Sequence, residues 1–136
     1  MKKMAQKYYQ KEIETMPVED LKKLQSEKIV KQVKHVYENV AYYRNLMDEK
    51  GVKPEDIQSI DDLHKLPFIS KADLRDAYPY GLLAKPLNEC VRIHSTSGTT
   101  GRRVVAFYTQ NDVDLWEDLS SRHLTCRQHL WTVLWQ

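Results

Sequence analysis

The sequence predicts an α/β chain in which a helical N-terminal region leads into the start of a sheet. Three observations predict it. Apolar residues recur at helical spacing between Leu21 and Val40. Two hydroxyl-to-acid capping boxes, Ser59 with Asp62 and Ser70 with Asp73, mark two short helices behind that stripe. Two β-type segments, VRIH and VVAFYT, then flank the hydroxyl-rich stretch STSGTTGRR at 95–103.

The elements follow in chain order. Pro17 suits a first helical position, where a missing N–H costs nothing. Leu21, Leu24, Val30, Val33, Tyr37 and Val40 form one apolar stripe, and Lys22, Lys23, Lys31, Lys34 and Glu38 fill the other side. The helix is expected to continue or kink through Tyr42, Tyr43, Leu46 and Met47 and to end at Gly51, which offers a left-handed cap. Pro67 separates the two capped helices, and Tyr-Pro-Tyr-Gly at 78–81 closes the second. Val91 and Ile93 alternate with Arg92 and His94, the period of a half-buried strand. Val104 to Tyr108 is a short apolar run, better suited to a strand than to a helix. Asn111 with Asp114 predicts a final capped helix, with Leu115, Trp116 and Leu119 on its apolar side.

Composition narrows the function classes. A chain of 136 residues is one small domain or a piece of a larger one. With 41% hydrophobic and 29% charged residues, it has an ordinary water-soluble composition. A net charge of +2 makes no case for nucleic acid. No apolar run is long enough for a membrane helix, and MKKMAQKYYQKE lacks the apolar segment of an export signal, so a cytoplasmic location is expected. Cys90 and Cys126 make no disulfide framework. The lysine-rich helix face is interspersed with acids, as a solvated face is. His35 and His64 each stand alone, and His123, Cys126 and His129 share one short segment at spacings that form no standard zinc site. No metal site and no catalytic residue is assigned. The tyrosines Tyr8, Tyr9, Tyr37, Tyr42 and Tyr43 are expected to pack helices together with their hydroxyls outward.

The loop between the two strands carries the chemistry. Hairpin loops usually take about two to five residues. This one is longer, and Ser95, Thr96, Ser97, Thr99 and Thr100 load it with hydroxyls. Gly98 and Gly101 allow positive φ, so successive N–H groups can converge on one anion. Arg102 and Arg103 can add charge to the same anion, although one of them can alternate outward along the strand. Polyphosphate is the expected guest, and a solvated Ser/Thr loop is the plain alternative. The spacing is neither GxxxxGK[ST] nor GxGxxG.

The run SerThrSerGlyThrThrGly, with a strand ending in Tyr-Thr and then Asn-Asp, resembles the phosphate-binding motif of adenylate-forming enzymes. The order of a long helix, YYR, a short helix, LPFISKADLRD and PYGLLA is similar to the N-terminal region of the phenylacetate–coenzyme A ligase family. The resemblance covers roughly residues 7 to 121. It implies a helical N-terminal region at 1–84, the start of the AMP-binding α/β core with its phosphate loop at 85–121, and a separate tail at 122–136. It implies ATP-dependent ligation of phenylacetate or a related aromatic acid to coenzyme A, through an acyl-adenylate, with Mg2+ bridging the phosphates. Its partners would be these small molecules, with no nucleic acid and no membrane. Ser95, Thr96, Ser97, Gly98, Thr99, Thr100, Gly101 and Arg102 would hold the ATP phosphates, the glycines letting the loop open and close. Where members of the wider superfamily often carry Pro-Lys, this chain has Arg102-Arg103.

The family's acid pocket, adenine, ribose and metal contacts and catalytic lysine all lie beyond the matched stretch. The resemblance therefore implies a truncated ligase, inactive alone. All 19 acids lie in residues 1–118, and two of the three tryptophans fall in the last six residues, so the tail is expected to be an aberrant, out-of-frame ending. A short genuine protein with an interface helix is the alternative ending. A non-catalytic phosphate-binding module and a helical interaction protein are the alternative functions. Unpaired sheet edges predict self-association.

Overall fold

The computed structural model describes residues 7–98, 101 and 103–134, with 128–134 described by backbone alone. Among the described residues five α-helices and two strands follow in order: α1 (Lys11–Glu14), α2 (Val18–Asn39), α3 (Ala41–Glu49), α4 (Lys71–Asp76), β1 (Cys90–Ser95), β2 (Val105–Thr109) and α5 (Gln110–Leu134). Short 3-10 turns lie at Pro54–Asp56, Ile60–Lys65 and Leu87–Glu89. The chain divides into two compact units: one contains α1 and α5, and the other runs from Val18 to Thr109.

The second unit is built on α2. Its inward stripe is buried Val33 with half-buried Ile29 and Tyr37, spaced by four, which packs with Met47, Val52, Ile57 and Leu66. Leu21, expected on the stripe, is exposed, because nothing in this cluster reaches the first turn of the helix. The expected kink is a full break at Val40, whose backbone is extended while its side chain is buried. Asn39 is the last residue of α2. Its side-chain amide donates to the His35 carbonyl at 2.8 Å, and the Val40 N–H still donates to the Val36 carbonyl at 2.8 Å. The Arg44 guanidinium reaches back to the Tyr37 and Glu38 carbonyls, both at 3.4 Å, at the end of α2.

The end of α3 follows its predicted cap. Gly51 has φ +69, its N–H donates to the Asp48 carbonyl at 3.0 Å, and the Val52 N–H donates to the Met47 carbonyl at 2.9 Å. These two bonds make a Schellman motif, with Val52 and Met47 in the same apolar cluster. Both predicted capping boxes form. The Asp62 carboxylate accepts from the Ser59 N–H at 3.1 Å, and the Asp73 carboxylate accepts from the Ser70 N–H at 2.5 Å. The first of them heads a 3-10 helix rather than an α-helix. The Ser26 hydroxyl accepts from the Ile60 N–H at 3.1 Å and ties that turn to α2.

Strands β1 and β2 pair antiparallel, with Ile93 opposite Phe107 and Ser95 opposite Val105, and with an irregularity between Cys90 and Arg92. The Tyr80 and Phe107 rings lie 5.6 Å apart, one contact between the hairpin and the preceding segment. Val91 and Ile93, expected to be half buried, are more than half exposed, because the sheet has only two described strands.

In the other unit, the Glu14 carboxylate accepts from the Tyr9 and Gln10 N–H groups, and the Gln10 amide donates to Asp118 on α5 at 3.2 Å. Helix α5 starts at Gln110, one residue before the expected Asn111 cap. The Gln110 side chain engages Asp114 at 2.7 Å. The helix then runs through the segment expected to be a separate tail and ends at Leu134. None of the helices among the described residues is long and apolar enough to cross a membrane.

Candidate phosphate-binding loop

The loop grows from the open end of the hairpin. Ser95 closes the ladder opposite Val105. Beyond it the Thr96 N–H donates to the Val104 carbonyl at 3.0 Å, and the Thr96 hydroxyl accepts from the Val104 N–H at 3.1 Å. Thr96 therefore grips both backbone groups of Val104 and continues the strand pairing with a side chain. This fixes the width of the loop mouth. The Ser95 hydroxyl donates to the Thr96 carbonyl at 3.1 Å.

Gly98 and Gly101 both have positive φ, +72° and +128°, where a side chain would be strained. The Gly101 N–H donates to the Gly98 carbonyl at 3.2 Å. Gly98 is also held by space. A Cβ there would sit 2.8 Å from Arg103 Cγ and 3.2 Å from the Gly101 carbonyl oxygen. The stem of Arg103 therefore lies directly over the Gly98 backbone.

Of the sequence-predicted site residues, Ser95, Thr96, Ser97, Gly98 and Gly101 stand together on this turn, while Thr99, Thr100 and Arg102 lie outside the described residues. Ser95, Thr96, Ser97 and Gly101 are exposed, so a solute can reach them. An arrangement of hydroxyls, a tight two-glycine turn and an arginine is suited to a multiply charged anion.

Other polar clusters have structural partners. Lys53 Nζ, Asp48 and the Tyr37 hydroxyl lie within 2.6–2.9 Å of one another. The hydrogen bond to Asp48 raises the Lys53 pKa, and the same bond with Lys53 lowers that of Asp48. The Tyr42 hydroxyl donates to Asp73 at 2.6 Å and is pushed up to about 12 by that bond. Asp73 is lowered to about 2, chiefly by the Ser70 hydroxyl and then by Tyr42. Asp62 is lowered to about 2, chiefly by Lys65. Asn39 contacts the His35 ring, and His64 Nδ1 lies 2.8 Å from the Asp61 carbonyl, so both histidines have local partners.

Two features were not read from the sequence. One is the placement of Arg103 over Gly98. The other is an apolar groove of about 880 Å³ lined by residues that include Ile29, Val33, Met47, Leu63 and Phe68, with Phe68 94% exposed at its rim. In the sequence Phe68 sits in the apolar run LPFI.

Comparison with known proteins returned related enzymes. The chain is 47% identical over 116 residues to a phenylacetate–coenzyme A ligase of Thermus thermophilus, covering 85% of this chain and 26% of that protein. It is 46% identical over 112 residues to the enzyme of the same name from Escherichia coli, covering 82% of this chain and 26% of that protein. Among solved structures, a 2-hydroxyisobutyryl-CoA ligase in complex with 2-HIB-AMP and CoA superimposes with a TM-score of 0.80 at 25% identity, covering 92% of this chain and 28% of that one. The same ligase in an open conformation gives 0.78 at 22% identity. No family model matches the chain. The chain thus spans about a quarter of the length of the relatives it matches.

Proposed function

We propose that this chain, a relative of the N-terminal quarter of the phenylacetate–coenzyme A ligases, carries the ATP phosphate loop of an acid–thiol ligase and binds the triphosphate through residues 95–103. In the whole reaction a carboxylate oxygen of an aromatic acid attacks the α-phosphorus of ATP. The bond to the β-phosphate breaks, and pyrophosphate leaves. The thiolate sulfur of coenzyme A then attacks the acyl carbon, and AMP departs with the anhydride oxygen. Activation is required because a free carboxylate has no adequate leaving group.

The residues of this chain serve the first step. The Thr96 and Ser97 hydroxyls supply donors, the Ser95 hydroxyl does so when it turns from the Thr96 carbonyl, and Gly98 and Gly101 shape the turn that meets the β- and γ-phosphates. Donors held in place where charge develops are worth about 3–4 kcal/mol each in well-studied sites. Thr99, Thr100 and Arg102 complete the same motif in sequence. Among the described residues no three His, Cys, Asp or Glu side chains converge. No residue of this chain is assigned to the acid or to coenzyme A.

The observation that carries this reading is the Thr96–Val104 clamp closing a turn with both glycines at positive φ. Calorimetric titration of the 136-residue chain with ATP tests it. Saturable binding that is lost in the Gly98→Val, Gly101→Val double variant supports the reading, and equal heats for the two proteins end it. We expect no pyrophosphate release by the chain alone with ATP and phenylacetate. The exposed Val91 and Ile93 give the chain a second property, association of copies through the open sheet.

A further inference from the structure

We propose that the apolar groove between α2 and the segment 60–68 binds a small organic ammonium ion with an apolar body. The groove lies wholly within the unit from Val18 to Thr109 and shares no residue with the loop at 95–103. The proposal therefore goes beyond the phosphate-loop reading and does not rest on it.

The walls follow from helical spacing. Ile29, Val33 and Val36 line the groove from one side of α2, at intervals of four and three. The opposite wall begins with the 3-10 helix Ile60–Lys65, in which residues three apart stack over one another. Ile60 and Leu63 form an apolar row there, and Asp61 and His64 form a polar row beside it. All four line the groove. Phe68 ends this wall and is 94% exposed. At about 880 Å³ the groove has the size of a small-molecule site.

Charge selects the ligand. No lysine or arginine lines the groove. No ion pair among the described residues uses the Asp61 carboxylate, whereas the neighbouring Asp62 is held by Lys65 at 2.7 Å. His64 Nδ1 lies 2.8 Å from the Asp61 carbonyl oxygen. A carbonyl only accepts, so Nδ1 carries the proton and Nε2 of the neutral ring is left as an acceptor. The polar row thus offers a carboxylate and a ring lone pair. The Phe68 ring adds a face that attracts cations. An ammonium group can donate to this row while its apolar body lies on Val33 and Leu63. A carboxylate ligand would meet the like charge of Asp61, so the groove disfavours an aromatic acid.

The test is amide chemical-shift titration of the full 15N-labelled chain with 4-phenylbutylammonium, 4-phenylbutanol and 4-phenylbutyrate, which share one apolar body. The ammonium ion should give saturable shifts at Leu63, His64 and Phe68. It should bind about fivefold tighter than the alcohol, the upper range for a solvated ion pair, and 4-phenylbutyrate should bind weakest. Asp61→Asn should lower the ammonium ion to the affinity of the alcohol and leave the alcohol unchanged, which also shows the groove intact. Phe68→Ala should weaken all three ligands, the ammonium ion most. Absence of groove shifts with the ammonium ion, equal affinities for the three ligands, or a preference that survives Asp61→Asn would overturn the proposal. Groove amides that move on dilution of the ligand-free chain would put a second copy there, and that result overturns it too.

Discussion

Replacing Gly98 by alanine tests the loop with the smallest possible change. Two costs arise from the structure. The first is backbone strain, because φ is +72° and an L-residue in the left-handed region loses about 1–2 kcal/mol. The second is steric. The new methyl would sit 2.8 Å from Arg103 Cγ and 3.2 Å from the Gly101 carbonyl oxygen. The Arg103 stem has to swing away to relieve the first of these contacts. Strain alone shifts the loop population by a factor of about 5 to 30, and apparent triphosphate affinity falls by the same factor. Displacement of Arg103 adds to that. Gly51→Ala is the matched control, with φ +69 and nothing within 4 Å of the added Cβ. It should cost similar strain at the end of α3 without touching phosphate binding. Titration calorimetry with inorganic triphosphate and urea unfolding followed by circular dichroism read the two effects separately. In an Arg103→Ala background the penalty of Gly98→Ala should shrink to the strain component. Wild-type affinity in Gly98→Ala, or an equal loss of affinity in Gly51→Ala, would refute the reasoning.

Three further outcomes are expected. Met47 is 1% exposed at the centre of the small cluster with Val33 and Ile57, so Met47→Ala should destabilise the helical unit by about 2–5 kcal/mol, measured by urea denaturation. Asp62 and Asp73 are held near pKa 2, below their ordinary 3.8, so the stability they contribute is complete above about pH 4 and is lost as pH falls towards 2. Asp73→Asn should therefore flatten the acid limb of a pH–stability profile, and an unchanged limb would deny Asp73 that role. Val91→Thr with Ile93→Thr should reduce concentration-dependent association in sedimentation velocity, since both side chains are more than half exposed on the open strand.

Much of the fold was legible because its signals are local. The capping boxes at Ser59 and Ser70, the left-handed Gly51 and the two strand runs are each decided by a few neighbouring residues, and each appears where expected. Features set by distant packing were less legible. The break at Val40 lies inside an apolar stripe that reads as continuous, since Val40 is extended in backbone yet buried in side chain. Exposure of Leu21, Phe68 and Ile93 depends on which elements cover them, and apolar character alone does not reveal that. In the loop, the two glycines predicted the turn. The path of Arg103 could not be read, because Arg102 and Arg103 are chemically equivalent in sequence and only backbone direction separates them.

The central claim is that the turn around Gly98 holds a polyphosphate. Amide chemical-shift mapping of the 15N-labelled chain during titration with inorganic triphosphate tests it most directly. The account predicts saturable shifts concentrated at Ser95 to Gly101 and at Arg103, with the groove residues Leu63, His64 and Phe68 unmoved. Saturation that shifts the groove and leaves Ser97, Gly98 and Gly101 in place would contradict it.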